Sequence, residues 1–248
     1  MTSMHPHTSL KVGIVIGSQR VIRSCPQVAQ FVLDILRSSF NKKHTPGLQI
    51  DFSLLDIADF ELPLADIPSL PSHMKEADLP GSYESKSTQA WSSAVDSCDG
   101  FVFVTPQYNW GMPAALKNAL DHIFHEFTGK PAMVIAYGGQ AGTLSAAQLI
   151  TVLSGMFVRV SKKPVCMKFT DKDMLFRSIK GDELGLNAAS NDGTWADYKK
   201  GIEERWDEVL SLLVKGREKP TIRSLGLKQL WEDTVGDAYN VELKFITK

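Results

Sequence analysis

The sequence is short of cysteine, of excess charge and of long apolar runs, and each shortage removes a class of protein. Only three cysteines occur among 248 residues, Cys25, Cys98 and Cys166. They are odd in number, far apart and outside any C-x-x-C spacing, which argues against a disulfide framework or a zinc site. A reducing compartment follows, and the chain is read as cytoplasmic. Lys and Arg total 27 against 28 Asp and Glu, a formal charge of −1. No global basic field therefore gathers nucleic acid or an anionic membrane surface, and any phosphate must be held locally. No segment approaches the ~18 apolar residues of a membrane span, and residues 1–9 lack the basic start and apolar core of a secretory leader. Neither a G-x-G-x-x-G fingerprint nor a Walker lysine loop is present, which lowers the odds of a Rossmann dehydrogenase or an NTPase. Ser18 has no Gly-x-Ser-x-Gly context and no positioned histidine, so serine hydrolase chemistry is unsupported.

What is present is enough apolar content, 43% of residues, to bury one large core. Leu10 to Ile16 (LKVGIVI) predicts a strand, and Pro26 to Ser39 carries Val28, Ala29, Phe31, Val32, Ile35 and Leu36 at helical spacing. Gln49 to Leu55 predicts a second strand. Gly100 to Thr105 (GFVFVT) and Pro131 to Tyr137 (PAMVIAY) are continuous apolar runs of the kind buried on both faces of a parallel sheet. Helices are expected over Pro113 to Phe127, from about Ala147 to Leu153 and from about Trp195 to Val214, with a last strand near Val158 to Lys168. Five strands alternating with helices predict a doubly wound α/β sheet. In such sheets ligands sit beyond the carboxyl ends of the strands at the switch point. Asp56 to Lys86, with four prolines, reads as a long connection able to act as a partial lid or a subunit contact.

Three loops carry the candidate chemistry. Gly17 to Pro26 (GSQRVIRSCP) follows strand one and opens helix one, where backbone N–H groups, the Ser18 and Ser24 hydroxyls and the Arg20 fork converge on a place for a phosphate. An ordinary strand-to-helix turn with solvated arginines is the competing reading. Thr105 to Pro113 (TPQYNWGMP) follows strand three and offers Tyr108 and Trp110 as surfaces for a flat ring, with core packing or an interface as the alternative. Tyr137 to Gly142 (YGGQAG) follows strand four, and its glycines let the backbone approach a ring edge, as would a plain turn. With strand order 2-1-3-4-5 the first two loops flank the switch point. His122 and His125, with Glu126, read as helix-face or interface residues rather than metal ligands, and no metal is expected. Cys25, at a helix start, reads as a buried inert thiol rather than a reactive thiolate.

The runs GSQRVIRSCPQVAQFV, TPQYNWGMPAALKNALDHIFHEFTGKPAM and YGGQAG closely resemble the NADPH-dependent FMN reductase family, especially its fungal NAD(P)H quinone reductases. The resemblance covers roughly residues 10–168. It implies a flavodoxin-like fold, a bound FMN, and NADPH or NADH as cosubstrate. It also implies ping-pong transfer of two electrons to a quinone, free flavin or azo compound. Ser18 and Arg20 then resemble phosphate contacts, with Arg23 as an additional one. Pro106, Gln107, Tyr108, Asn109, Trp110 and Gly111 resemble the ring-binding loop, and Tyr137, Gly138 and Gly139 the second ring-edge loop. The flavin carries the chemistry, so no side chain is assigned as an acid or base. The Pro113 helix is similar to the one that builds the family's homodimer, and dimers that pair into a tetramer remain open. An electron carrier or redox-sensing FMN module acting through a protein partner is the alternative function. The domain plan has a disordered 1–9, an FMN-binding domain over 10–215, and a C-terminal extension over 216–248. Its Leu225, Leu227, Leu230, Trp231, Val241, Leu243 and Phe245 are apolar enough to pack on the body or a partner subunit. The stretch from Thr170 to Thr194 is longer and more polar than the family pattern, and its role is open.

Overall fold

The computed structural model describes residues 8–43, 47–64 and 70–216. Its centre is a parallel sheet of β1 (Thr8–Ile16), β2 (Leu48–Asp56), β3 (Gly100–Pro106), β4 (Pro131–Gly138), β5 (Arg159–Val160) and β6 (Val165–Lys168). The order is β2-β1-β3-β4-β5, with β6 also paired to β4. This is the doubly wound arrangement that the alternation of elements predicts, in the flavodoxin-like order that the family resemblance implies. β1 starts at Thr8, inside the segment expected to be disordered. The rest of that segment, and residues 217–248 of the expected extension, lie outside the described residues.

Helices α1 (Cys25–Lys43), α2 (Lys86–Asp96), α3 (Ala114–Asp121), α4 (Thr143–Gly155), α5 (Lys172–Lys180) and α6 (Lys199–Lys215) cover the sheet. β3 and β4 are buried along their whole length because helices lie on both faces. Alternate residues feed two cores. Val12, Ile14, Val102 and Val104 meet α1 and α6 on one side. Phe101 and Phe103 meet Trp91, Leu116, Leu120 and Leu149 on the other.

Four elements depart from the sequence expectation, each for a local reason. The fifth strand is two short pieces, because Pro164 supplies no N–H to a ladder and the Lys162 N–H turns away to the Glu208 carboxylate at 3.0 Å. α3 stops at Asp121 rather than Phe127. Beyond it the Phe124 N–H bonds the buried Glu126 carboxylate at 3.2 Å instead of a helical carbonyl. α6 begins at Lys199, since Trp195 sits at a left-handed φ of 64° while its indole donates to the Lys168 carbonyl at 2.7 Å. The Asp56 to Lys86 connection is no lid in its described part. It packs against α2 and α3, with Asn118 donating to the Leu62 carbonyl and Phe60 against Trp91. Its C-terminal end runs into α2, which the sequence reading does not contain.

Candidate active site

The three predicted loops meet at one place. β1 and β3 are adjacent, so their carboxyl-end loops lie side by side, and the β4 loop adjoins them. A cleft of about 240 Å³ opens there, lined by Arg20, Arg23, Ser24, Pro106, Gln107, Tyr108, Tyr137, Gly138 and Gly139.

The β1–α1 loop is anchored at its base and open at its crown. The Gly17 N–H donates to the Val104 carbonyl at 2.8 Å, fixing the exit from β1. Arg23 grips the Asp56 carboxylate bidentately, at 2.9 and 2.6 Å, and donates to the Ser18 carbonyl. This guanidinium is thus committed to holding the loop shape. Its expected part as a further phosphate contact is shared with that structural work. Arg20, by contrast, is exposed and lies flat over the Tyr108 ring, with its Cζ 3.6 Å from the centroid. A cation over a ring face is stabilised by about 0.5–1 kcal/mol at such a site, while its N–H edge stays free for an anion. Among the described residues, no peptide N–H from Ser18 to Cys25 has a hydrogen-bond acceptor. The first turn of α1 carries no acidic residue to compete for the positive end of its dipole.

Cys25 closes this loop inside the core, donating to the Val104 carbonyl at 3.3 Å. Burial pushes its thiol up from 9.0 to about 12, so it is an inert neutral group.

The β3–α3 loop is built differently. Tyr108 and Gly111 exchange N–H···O bonds at 2.9 and 3.0 Å around a two-residue turn. Asn109 and Trp110 fill the turn with φ of 48° and 65°. Asn tolerates the left-handed region, but a tryptophan there costs about 1–2 kcal/mol. The strained Trp110 is 66% exposed, an apolar plate on the tip of the turn and outside the residues that line the cleft. Arg20 covers one face of the Tyr108 ring. The Tyr108 hydroxyl bonds Ser18 at 2.8 Å, so it clasps the two loops together.

Gln107 is occupied on one side, its Oε1 accepting from the Leu144 and Ser145 N–H groups at 3.0 and 3.4 Å and so capping α4. Pro106 accepts from the Ser145 hydroxyl at 3.0 Å. The Tyr137 side chain is buried against Phe169 and Trp195, and burial raises its phenol well above the ordinary range. It is nonetheless among the residues that line the cleft. Gly139 faces open space. The turn after it depends on Gly142, at a φ of 77° with the Tyr137 nitrogen 2.5 Å from where a Cβ would stand. His122 bonds Thr88 and the Pro63 carbonyl, both at 2.8 Å, which is a structural use of its imidazole.

The described fold agrees with known proteins. The NADPH-dependent FMN reductase family pattern matches residues 10–169. The chain belongs to this family. The NAD(P)H-dependent FMN reductase LOT6 of Saccharomyces cerevisiae is 41% identical over 153 residues, 61% of this chain and 77% of that protein. The NAD(P)H-dependent FMN reductase ntnL of a Nectria species is 32% identical over 211 residues, 84% of this chain and 99% of that protein. Among solved structures, an oxidoreductase of Corynebacterium diphtheriae shares the fold at a TM-score of 0.56 and 18% identity, with 83% of this chain and 97% of that one covered. This reductase is therefore a flavin-dependent oxidoreductase with NAD(P)H as donor. The site fits FMN on its own terms: unpartnered N–H groups and Arg20 for a phosphate monoester, and glycine backbone with an exposed indole for a flat ring.

The cleft also holds residues that sequence reading missed. Phe169 and, from α5, Leu175, Ser178 and Ile179 form its outer wall. A usable signal existed: Asp171 caps the helix by accepting the Met174 N–H at 2.8 Å, and Gly181 ends it in the left-handed conformation. Asp56, the partner of Arg23, had no signal, being an ordinary carboxylate 33 residues away.

Proposed function

We propose that this reductase passes two electrons from NAD(P)H to quinones, free flavin or similar flat acceptors by a ping-pong order, as a cytoplasmic homodimer. The observation that carries the reading is the crown of the β1–α1 loop, where eight consecutive residues offer N–H groups that no described group accepts, beside a free arginine edge. Bound FMN supplies the hydride chemistry, which no side chain of this chain can perform. The protein's part is placement. Arg20 and the loop N–H groups would hold the FMN phosphate and so position the group beside the β3–α3 turn. Trp110 presents an apolar face, and the Gly138–Gly139 backbone approaches the ring edge without side-chain obstruction. Peptide N–H groups of Asn109 and Gly139 point to stabilisation of negative charge on that edge. One open face would then serve donor and acceptor in turn, since both are flat, with the proton that accompanies hydride transfer to a quinone drawn from solvent.

Arg20→Ala is expected to lower FMN affinity about a hundredfold, while Lys117→Ala changes it by less than twofold. Lys117 pairs with Asp121 at 2.6 Å on the α3 surface, away from the cleft. Equal flavin occupancy in the two purified variants would sink the phosphate-loop assignment. Bleaching of the flavin band by NADPH within seconds separates the enzyme from a pure electron carrier.

A further inference from the structure

α5 lies just beyond residue 169, where the family pattern ends, yet it forms the outer wall of the cofactor cleft. It is fastened to the β1–α1 loop at several points. The Ser178 and Ser24 hydroxyls bond each other at 2.8 Å. Gln27, in the first turn of α1, donates to the Asp182 carbonyl at 3.1 Å and accepts the Leu184 N–H at 2.9 Å. At its C-terminal end the fit is close: a Cβ on Gly181 would stand 3.0 Å from Ile22, and a φ of 77° already restricts that position. Met174 is fully buried and roots the helix in the core beside α1. The wall is thus held against the loop that offers N–H groups to an anion.

We propose that Ser178 is a binding residue for the phosphate monoester of FMN, supplied by a helix outside the family pattern. This rests on the FMN reading above. The Tyr137 phenol, kept neutral by burial, also reaches Ser24; of the three hydroxyl protons, one serves Tyr137 to Ser24 and one the Ser24–Ser178 bond. Ser24 is 3% exposed, whereas Ser178 is only half-buried and borders the cleft. When Ser24 donates to Ser178, the Ser178 proton is left to point at the cleft, where Arg20 and the loop N–H groups already select for an anion. A hydroxyl donating to a charged oxygen is stronger than one donating to a neutral oxygen, so the phosphate orients the pair. The rest of α5 facing the cleft, Leu175 and Ile179, is apolar and contributes shielding rather than charge.

The test compares FMN with riboflavin, which lacks only the phosphate. Full-length protein stripped of flavin is titrated with each ligand, and affinity is read from quenching of flavin fluorescence. Ser178→Ala is expected to weaken FMN about tenfold and riboflavin less than twofold, with Ser178→Thr restoring FMN binding to within about threefold. If Ser178→Ala weakens both ligands equally, Ser178 is only a staple for α5 and the proposal fails. No change in either ligand overturns it as well. Arg20→Ala in the same titration keeps the two ideas apart. Loss of FMN there with none in Ser178→Ala removes Ser178 alone, whereas wild-type protein that binds neither flavin removes the FMN reading itself.

Discussion

The two loops that frame the cleft solve opposite problems. The β1–α1 loop spends its strong interactions at the base, on Arg23–Asp56 and Gly17–Val104, and leaves the peptide N–H groups of its crown without acceptors among the described residues. The β3–α3 loop satisfies itself, closing a two-residue turn with a pair of backbone bonds and accepting strain at Trp110 to do so. An anion can complete the first loop because it brings the missing acceptors. A flat apolar ring brings none along its face, so the second loop must be complete before the ring arrives. Tyr108 joins the two, bonding Ser18 through its hydroxyl and carrying Arg20 on its face.

The largest effect expected inside this comparison is at the anchor. Arg23→Ala leaves Asp56 with a side chain only 16% exposed and no cation beside it. A stability loss of about 2–4 kcal/mol in urea unfolding is expected, with weaker FMN retention as the loop loosens. A loss under ~0.5 kcal/mol means the loop is held by its backbone bonds instead, and the contrast between anchored base and open crown disappears. Relief of strain comes next. Trp110→Gly is expected to raise stability by about 1 kcal/mol, because glycine occupies the left-handed region freely and the exposed indole gives up little packing. The same variant should hold FMN less tightly. If stability falls instead, the turn is not strained and Trp110 is packed on something the site needs.

The last effect is nil at neutral pH and appears only in alkali. The Cys25 thiol is raised from 9.0 to about 12 by burial, so the folded state keeps it neutral where the unfolded chain ionises it. Its folded pKa lies above the unfolded one, so the stability this contributes is fully present below pH 9 and is lost as pH rises toward 12. Cys25→Ala should flatten that part of the decline, and native protein at pH 8 should leave Cys25 unmodified by iodoacetamide. Rapid alkylation of Cys25 in the folded protein would show the loop base to be open rather than closed.

Much of the fold could be read from local pattern. β1, β3 and β4 are continuous apolar runs, and that is what burial under helices on both faces demands. α2 escaped notice because KSTQAWSSAVD is rich in serine, a weak helix former, and its burial depends on Trp91 and Val95 alone among large residues. α5 escaped because it is only nine residues long and buries a single side chain, Met174, so its amphipathic pattern spans little more than two turns. In the site, Arg20, Gln107, Tyr108 and Gly139 all reach the predicted cleft, but their roles divide in ways no spacing encodes. Tyr108 bridges the loops, Gln107 caps α4, and Arg23 holds a carboxylate.

By itself the sequence determined the alternation of buried strands and helices, and with it the side of the sheet on which the loops gather. Those features follow from hydrophobic periodicity and from glycine and proline at strand ends, which act over a few residues. Only the tertiary structure decided which polar groups are already paired and which remain open. Arg23 and Arg20 stand three residues apart in one loop, yet one meets Asp56 across the β1–β2 edge and the other rests on Tyr108 with its N–H edge free. That difference arises from partners 33 and 88 residues away, and a local pattern carries no information about contacts that chain folding alone creates.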